Sequence, residues 1–162
     1  MAKSPEAKGA VPKVGEGRRG MEGYLLYLLR QANTVAQQAM DRALAELGLS
    51  VAQYSALTMI KAYQPLSSAD LARLSMLTPQ SAHEVVQRLD GRGLIRKFPD
   101  PHHRRIVRLE ITDAGQALIQ EARKLFDPVE ERLLAAAGGI DPAVIRQWLV
   151  AVATGLAGND EA

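Results

Sequence analysis

The sequence predicts a mainly α-helical chain carrying one small β-hairpin. Three observations point there. Leucine and alanine dominate a composition that is 47% apolar and only 4% aromatic, which favours helix. Apolar residues recur at spacings of three and four along most of the chain. Along Arg105 to Ile111 the period changes to two, the mark of a strand, with Leu94–Phe98 before it reading as its partner. At 162 residues the chain can build one core, or a small domain with an oligomerisation arm.

Composition also narrows the chemistry. The chain has no cysteine, so disulfides, thiolate metal sites and cysteine redox sensing are excluded. No apolar run approaches the roughly 20 residues of a bilayer span. No apolar core of a signal peptide stands at the N-terminus, so a cytoplasmic protein without a membrane partner is expected. There is no H-E-x-x-H, no phosphate-binding glycine loop and no G-x-S-x-G elbow. With three histidines few nucleophile–base pairs are available, and neither an enzyme nor a cofactor is expected.

Residues 1–20 are rich in Lys, Gly, Ala and Pro and show no apolar period, which predicts a disordered basic tail. From Tyr24 to Leu47, Leu25, Leu28, Leu29, Ala32, Val35, Ala36, Ala39, Ala43 and Leu47 trace one helical face. A helix of that length would be roughly 36 Å long, more than a small domain can cover. Residues 21–48 are therefore expected to be a dimerisation helix, ended by Gly48.

Three short helices follow over 51–63, 68–75 and 79–90, each with a start signal. Ser50 with Gln53 and Ser67 with Asp70 are capping boxes. Thr78 followed by Pro79 is an N-cap with proline in the first helical position. Only Met76, Leu77 and Thr78 separate the last two helices, which is helix-turn-helix spacing. Gly91 and Gly93 then end the helix. Leu94–Phe98 and Arg105–Ile111 read as strands, joined by the turn-forming tip Pro99-Asp100-Pro101-His102-His103-Arg104. A helix-turn-helix followed by a basic hairpin is a winged helix, expected over residues 49–112.

Thr112-Asp113 caps a long helix with Ala117, Leu118, Ala122, Leu125, Val129, Leu133 and Leu134 on its apolar face. Pro128 is expected to kink or restart it. Gly138-Gly139 ends it, and Asp141-Pro142 starts a last helix with Ile145, Trp148, Leu149 and Val152. The apolar faces of 21–48 and 113–157 exceed what the winged helix can cover. A helical dimerisation domain built from both chain ends is therefore expected, with 158–162 as a short tail.

Net charge is only +2, but it is unevenly placed. Residues 1–20 sum to +3, residues 88–108 to +5 and the remainder to −6. Such gathering suits contact with a polyanion, with an ordinary solvated face as the alternative. The helix following Thr78 presents Gln80, Ser81, His83, Glu84, Gln87 and Arg88 opposite its apolar stripe of Ala82, Val85, Val86 and Leu89. The candidate DNA contacts are Thr78, Gln80, Ser81, His83, Gln87 and Arg88 in the major groove. On the wing they are His102, Arg104 and Arg105, since arginine gains from the potential of a narrow minor groove. His102 and His103 adjoin Asp100, but neighbours on a hairpin point to opposite faces and no Cys or Glu stands at ligand spacing, so no metal site is expected. Protonation of His103 would instead add positive charge to the wing as pH falls through about 6.5.

The stretch D-P-H-H-R-R-I-V-R-L-E-I-T-D-A-G, Asp100 to Gly115, resembles a signature of the multiple antibiotic resistance regulators, the MarR family. That family commonly has D-x-x-D-R-R, apolar alternation, then L-T-x-x-G. Asp100, Arg104, Arg105, Thr112 and Gly115 match, with Ile111 in the Leu place. Leu77 to Ile95 resembles the family's recognition helix and first wing strand, and the resemblance spans residues 21–157. His103 stands where aspartate is usual, which bears on the customary wing-anchoring ion pair. Glu84 stands where arginine is frequent, which bears on base preference. The resemblance implies a homodimer on a pseudo-palindromic operator with half-sites roughly 10 bp apart, acting as a repressor of transcription. It further implies release by a small aromatic or phenolic effector bound near the junction of the two parts. Tyr24, Tyr27, Arg30, Gln31 and Tyr54 are the candidate effector residues, with packing or dimer contact as the alternative for each. A ligand-independent or architectural DNA-binding protein is the alternative function.

Overall fold

The computed structural model describes residues 11–103 and 105–157. The chain divides into two compact units, Met1–Ala39 and Met40–Ala162. Helix α1, Leu25–Leu44, runs across the division and tightens into a 3-10 turn over Ala45–Leu47. Gly48 stops it at φ 59°, a left-handed conformation that glycine adopts without steric cost. Residues 11–20 differ from a structureless tail: they carry a 3-10 turn at Gly17–Arg19. The Arg19 guanidinium donates to the Pro12 carbonyl at 2.8 Å, and Gln31 Nε2 donates to the Arg19 carbonyl at 2.9 Å.

In the second unit, α2 (Val51–Tyr63), α3 (Ser68–Leu74) and α4 (Pro79–Gly91) begin where their caps predict. Both capping boxes are closed in both directions. Thr78 caps α4 by accepting from the Ser81 N–H at 3.1 Å. Strands β2 (Ile95–Pro99) and β3 (Val107–Ile111) form the wing. Strand β3 is shorter than the alternation suggested, because Arg105 and Ile106 belong to the turn, while β2 keeps its expected length one residue further along. A strand absent from the sequence reading, β1 (Leu66–Ser67), pairs antiparallel with β3, giving the order β1–β3–β2. Two residues are too few to show a period.

Helix α5, Asp113–Ala136, passes through Pro128 without restarting. Of the two expectations, a kink or a restart, the restart is thus excluded; a proline costs a helix one hydrogen bond, which the remaining turns absorb. Gly138 and Gly139, at φ 61° and 90°, then lead into α6 (Pro142–Ala157).

The core gathers Leu44 from α1, Leu57 and Ile60 from α2, Leu71 from α3, Leu89 from α4, Leu109 from β3 and Ile119 from α5, all fully buried. Truncating any one of these to alanine would cost about 2–5 kcal/mol. Helix α6 buries no residue, and Val144, Trp148, Leu149 and Leu156 remain exposed along it. Among the described residues no single helix is long and apolar enough to cross a membrane.

Candidate nucleic-acid interface

The turn between α3 and α4 is set by Leu77, whose N–H donates to the Ala72 carbonyl at 2.9 Å, and by Met76 at φ 51°. Along α4, Ala82, Val85, Val86 and Leu89 are buried beneath it, while Gln80, His83, Glu84, Gln87 and Arg88 are exposed. Ser81 is half-buried, and its hydroxyl accepts from Thr78 Oγ1 at 2.8 Å. Thr78 and Ser81 therefore serve the helix cap, and the outward face proper is Gln80, His83, Gln87 and Arg88, with Glu84 among them.

The wing is braced by ion pairs that cross elements. Arg96 and Glu110 stand opposite each other on β2 and β3, and Arg96 Nε donates to Glu110 Oε2 at 2.8 Å. Lys97 Nζ lies 2.6 Å from Asp90 Oδ2 at the end of α4, tying the wing to the recognition helix. Arg108 Nε donates to Asp100 Oδ2 at 2.6 Å, and Arg108 Nη1 reaches Asp70 of α3 at 3.9 Å. The other oxygen of Asp100 accepts the backbone N–H groups of His102 at 2.8 Å and His103 at 2.9 Å. Hydrogen bonding from Arg108 and from these amides lowers the Asp100 carboxyl to about 2. The Asp70 carboxyl is also lowered, first by the Ser67 hydroxyl and then by Arg73.

This pairing reassigns the basic run. Of its seven cations, Arg96, Lys97 and Arg108 are spent on carboxylates. Arg92 instead donates to the Gly48 carbonyl at 2.8 Å and the Leu47 carbonyl at 3.0 Å, capping the end of the first helix. Arg88 and Arg105 are exposed and hold no ion pair among the described residues; Arg104 lies outside them. His102 is exposed at the tip with His103. An aspartate at 103 is not needed to anchor this wing, because Asp100 and Arg108 do so. Arg92, Asp100 and Arg108 are the residues that sequence reasoning missed. Asp100 was visible within the D-x-x-D-R-R pattern, but its partner lies on the other strand.

The five candidate effector residues fall into two groups. Tyr24 and Tyr27 line a pocket of about 410 Å³ in the N-terminal unit with Arg18, Arg19, Glu22 and Gly23. Gln31 is bound to Arg19, and Arg30 is exposed outside that lining. Tyr54 belongs to the other unit, where it packs on the core with its ring edge-to-face on Phe126 at 4.8 Å. Among the described residues no cluster of three or more metal-ligating side chains occurs.

A buried helix-turn-helix frame, an outward polar helix face and a braced hairpin with a free arginine define a winged helix-turn-helix DNA-binding protein. The sequence model of the MarR family matches residues 47–106. The HTH-type transcriptional repressor Rv2887 of Mycobacterium tuberculosis is 31% identical over 113 residues, covering 70% of this chain and 79% of that one. The chain belongs to the MarR family. CouR of Rhodococcus jostii, solved on a 23-mer DNA duplex, is 25% identical with a TM-score of 0.72 over 91% of this chain and 99% of that one; it has also been solved with p-coumaroyl-CoA. Rv2887 solved with p-aminosalicylic acid is 26% identical with a TM-score of 0.62, covering 82% and 98%.

Proposed function

We propose that this chain is a homodimeric repressor that reads a pseudo-palindromic operator and is released by a small aromatic acid. The observation that carries the DNA reading is the outward face of α4, whose Gln80, His83, Gln87 and Arg88 are free for base edges and phosphates beside a braced wing. Arg105, with Arg104, would enter the adjacent minor groove, while Thr78 and Ser81 fix the N-terminus of the reading helix. The relatives named as repressors support that direction of control.

The dimer reading is supported by apolar surface that the chain leaves bare. Leu25 and Leu26 on α1, Leu133 on α5, and Trp148, Leu149 and Leu156 on α6 are all exposed. A second copy covering residues 21–48 and 113–157 would bury these faces, at about 25 cal/mol per Å² of apolar area. Symmetry then sets half-sites roughly 10 bp apart.

An aromatic acid as effector is supported by the ligands of the relatives, p-aminosalicylic acid and p-coumaroyl-CoA. The pocket of Tyr24 and Tyr27 offers two phenol rings with Arg18 and Arg19 beside them, suited to an aromatic carboxylate. A ligand preferring one spacing of the recognition helices would weaken operator binding by its differential affinity, typically 5- to 150-fold.

Fluorescence anisotropy tests this with the DNA upstream of the gene and random-sequence competitor at two salt concentrations. Expected are competitor-resistant binding by a dimer, weakened by salt, and release by p-aminosalicylate. Absence of any binding at low salt would overturn the DNA reading. Binding that no aromatic acid weakens would leave a ligand-independent regulator.

A further inference from the structure

Residues 51–112 contain five carboxylates: Asp70, Glu84, Asp90, Asp100 and Glu110. Four of them hold cations, namely Arg73 and Arg108 on Asp70, Lys97 on Asp90, Arg108 on Asp100 and Arg96 on Glu110. Glu84 holds none among the described residues. Yet Arg88 stands one turn further along α4, at the spacing that supports a helical ion pair. Glu84 is exposed in the middle of the outward face, with Gln80 one turn before it and Gln87 and Arg88 one turn after.

A free carboxylate on a surface that meets phosphates is repelled by them unless it meets a donor. Ionised glutamate only accepts hydrogen bonds. The major groove offers amino donors from cytosine N4 and adenine N6 alone. Adenine sets the acceptor N7 beside its amino group, which repels a carboxylate, whereas cytosine presents the donor alone. We propose that Glu84 is a specificity-determining residue that accepts a hydrogen bond from the N4 amino group of a cytosine, once in each half-site. This rests on the DNA-binding reading above and deepens it.

The carboxylate then acts in two opposite directions. It lowers affinity for every duplex by repulsion and recovers that loss only where cytosine stands opposite. Replacing it should therefore raise non-specific affinity while erasing one position of sequence preference. A surface acid with no reading role would show the first effect without the second. Glutamine, which donates and accepts, pairs with adenine N6 and N7 instead.

The test is selection of binding sites from randomised duplexes by the full-length wild-type chain, Glu84→Gln and Glu84→Ala, followed by anisotropy on the winning duplexes. Expected is a symmetric cytosine in the wild-type sites, adenine there for Glu84→Gln, and no preference there for Glu84→Ala. Substituting that base pair should weaken wild-type binding roughly tenfold and leave Glu84→Ala unaffected. The same preference in all three proteins, or equally raised affinity of Glu84→Ala for all duplexes with discrimination intact, would overturn the proposal. If the wild-type chain binds duplexes but selects no sequence at all, the operator-reading function falls and the proposal with it, leaving an architectural DNA-binding protein. Because Glu84 is exposed, thermal unfolding should be nearly unchanged in both variants, so loss of fold is separable.

Discussion

Arg108 and Asp100 meet across the wing, Nε to Oδ2 at 2.6 Å, with Arg108 on β3 and Asp100 where β2 turns into the tip. The carboxylate's second oxygen gathers the amides of His102 and His103. One side chain thereby fixes both the strand pairing and the shape of the turn that presents Arg105. The customary aspartate at 103 is replaced by histidine, and its backbone still contributes to the same anchor.

The Asp100 carboxyl ionises at a lower pH in the folded chain, about 2 against an ordinary 3.8. The unfolded chain therefore binds more protons between those values, and stability rises with pH through that interval. The contribution is complete above the ordinary value and is lost as pH falls toward about 2. Urea unfolding followed from pH 7 to pH 2.5 should show less acid loss in Asp100→Asn than in wild type. At pH 7 the same variant should remain folded but bind operator several-fold more weakly, because the wing turn loses its anchor.

Arg88 and Arg105 are expected to act on DNA, Arg92 on the fold. Replacing Arg88 or Arg105 by alanine should reduce the salt dependence of DNA binding by about one unit of log–log slope each. Arg92→Ala removes two hydrogen bonds to the carbonyls of Leu47 and Gly48. It should lower unfolding stability by about 1 kcal/mol and leave the salt slope unchanged. A shallower slope for Arg92→Ala would reverse that assignment.

Gly115 and Gly91 should respond to alanine with opposite signs. A Cβ at Gly115 would stand 2.2 Å from the Leu94 carbonyl oxygen, in the backbone that joins the wing to α4. Gly115→Ala should therefore destabilise by about 1–3 kcal/mol or more. A Cβ at Gly91, in the last turn of α4, meets nothing within 4 Å. Gly91→Ala should stabilise by about 0.4–1 kcal/mol through the unfolded chain. Chemical denaturation of the two variants decides both.

Met76 holds a left-handed backbone at φ 51°, and the residue is 94% exposed. No burial offsets the steric cost of a Cβ there. Met76→Gly should raise unfolding stability by about 1 kcal/mol, less whatever the more flexible unfolded chain takes back. A lower midpoint in thermal unfolding would mean that Met76 makes a stabilising contact after all.

The helix starts and the order of elements were legible in the sequence because their causes are local. Ser50 and Gln53, Ser67 and Asp70, and Thr78 and Ser81 bond over three residues, and Gly48 stops a helix by its own backbone freedom. The outward face of α4 follows from the period of its own apolar residues. What the basic run does was decided only by tertiary structure. Arg92 finds its partner 44 residues away at Gly48, and Arg96 finds Glu110 through strand register. Strand β1 exists because Leu66 and Ser67 are carried to the edge of β3, and Tyr54 packs half-buried against the core because Phe126 of α5 closes on it. Charge in a sequence is a count, whereas free charge depends on which opposite groups folding brings within about 4 Å, and those contacts join residues that no local period connects.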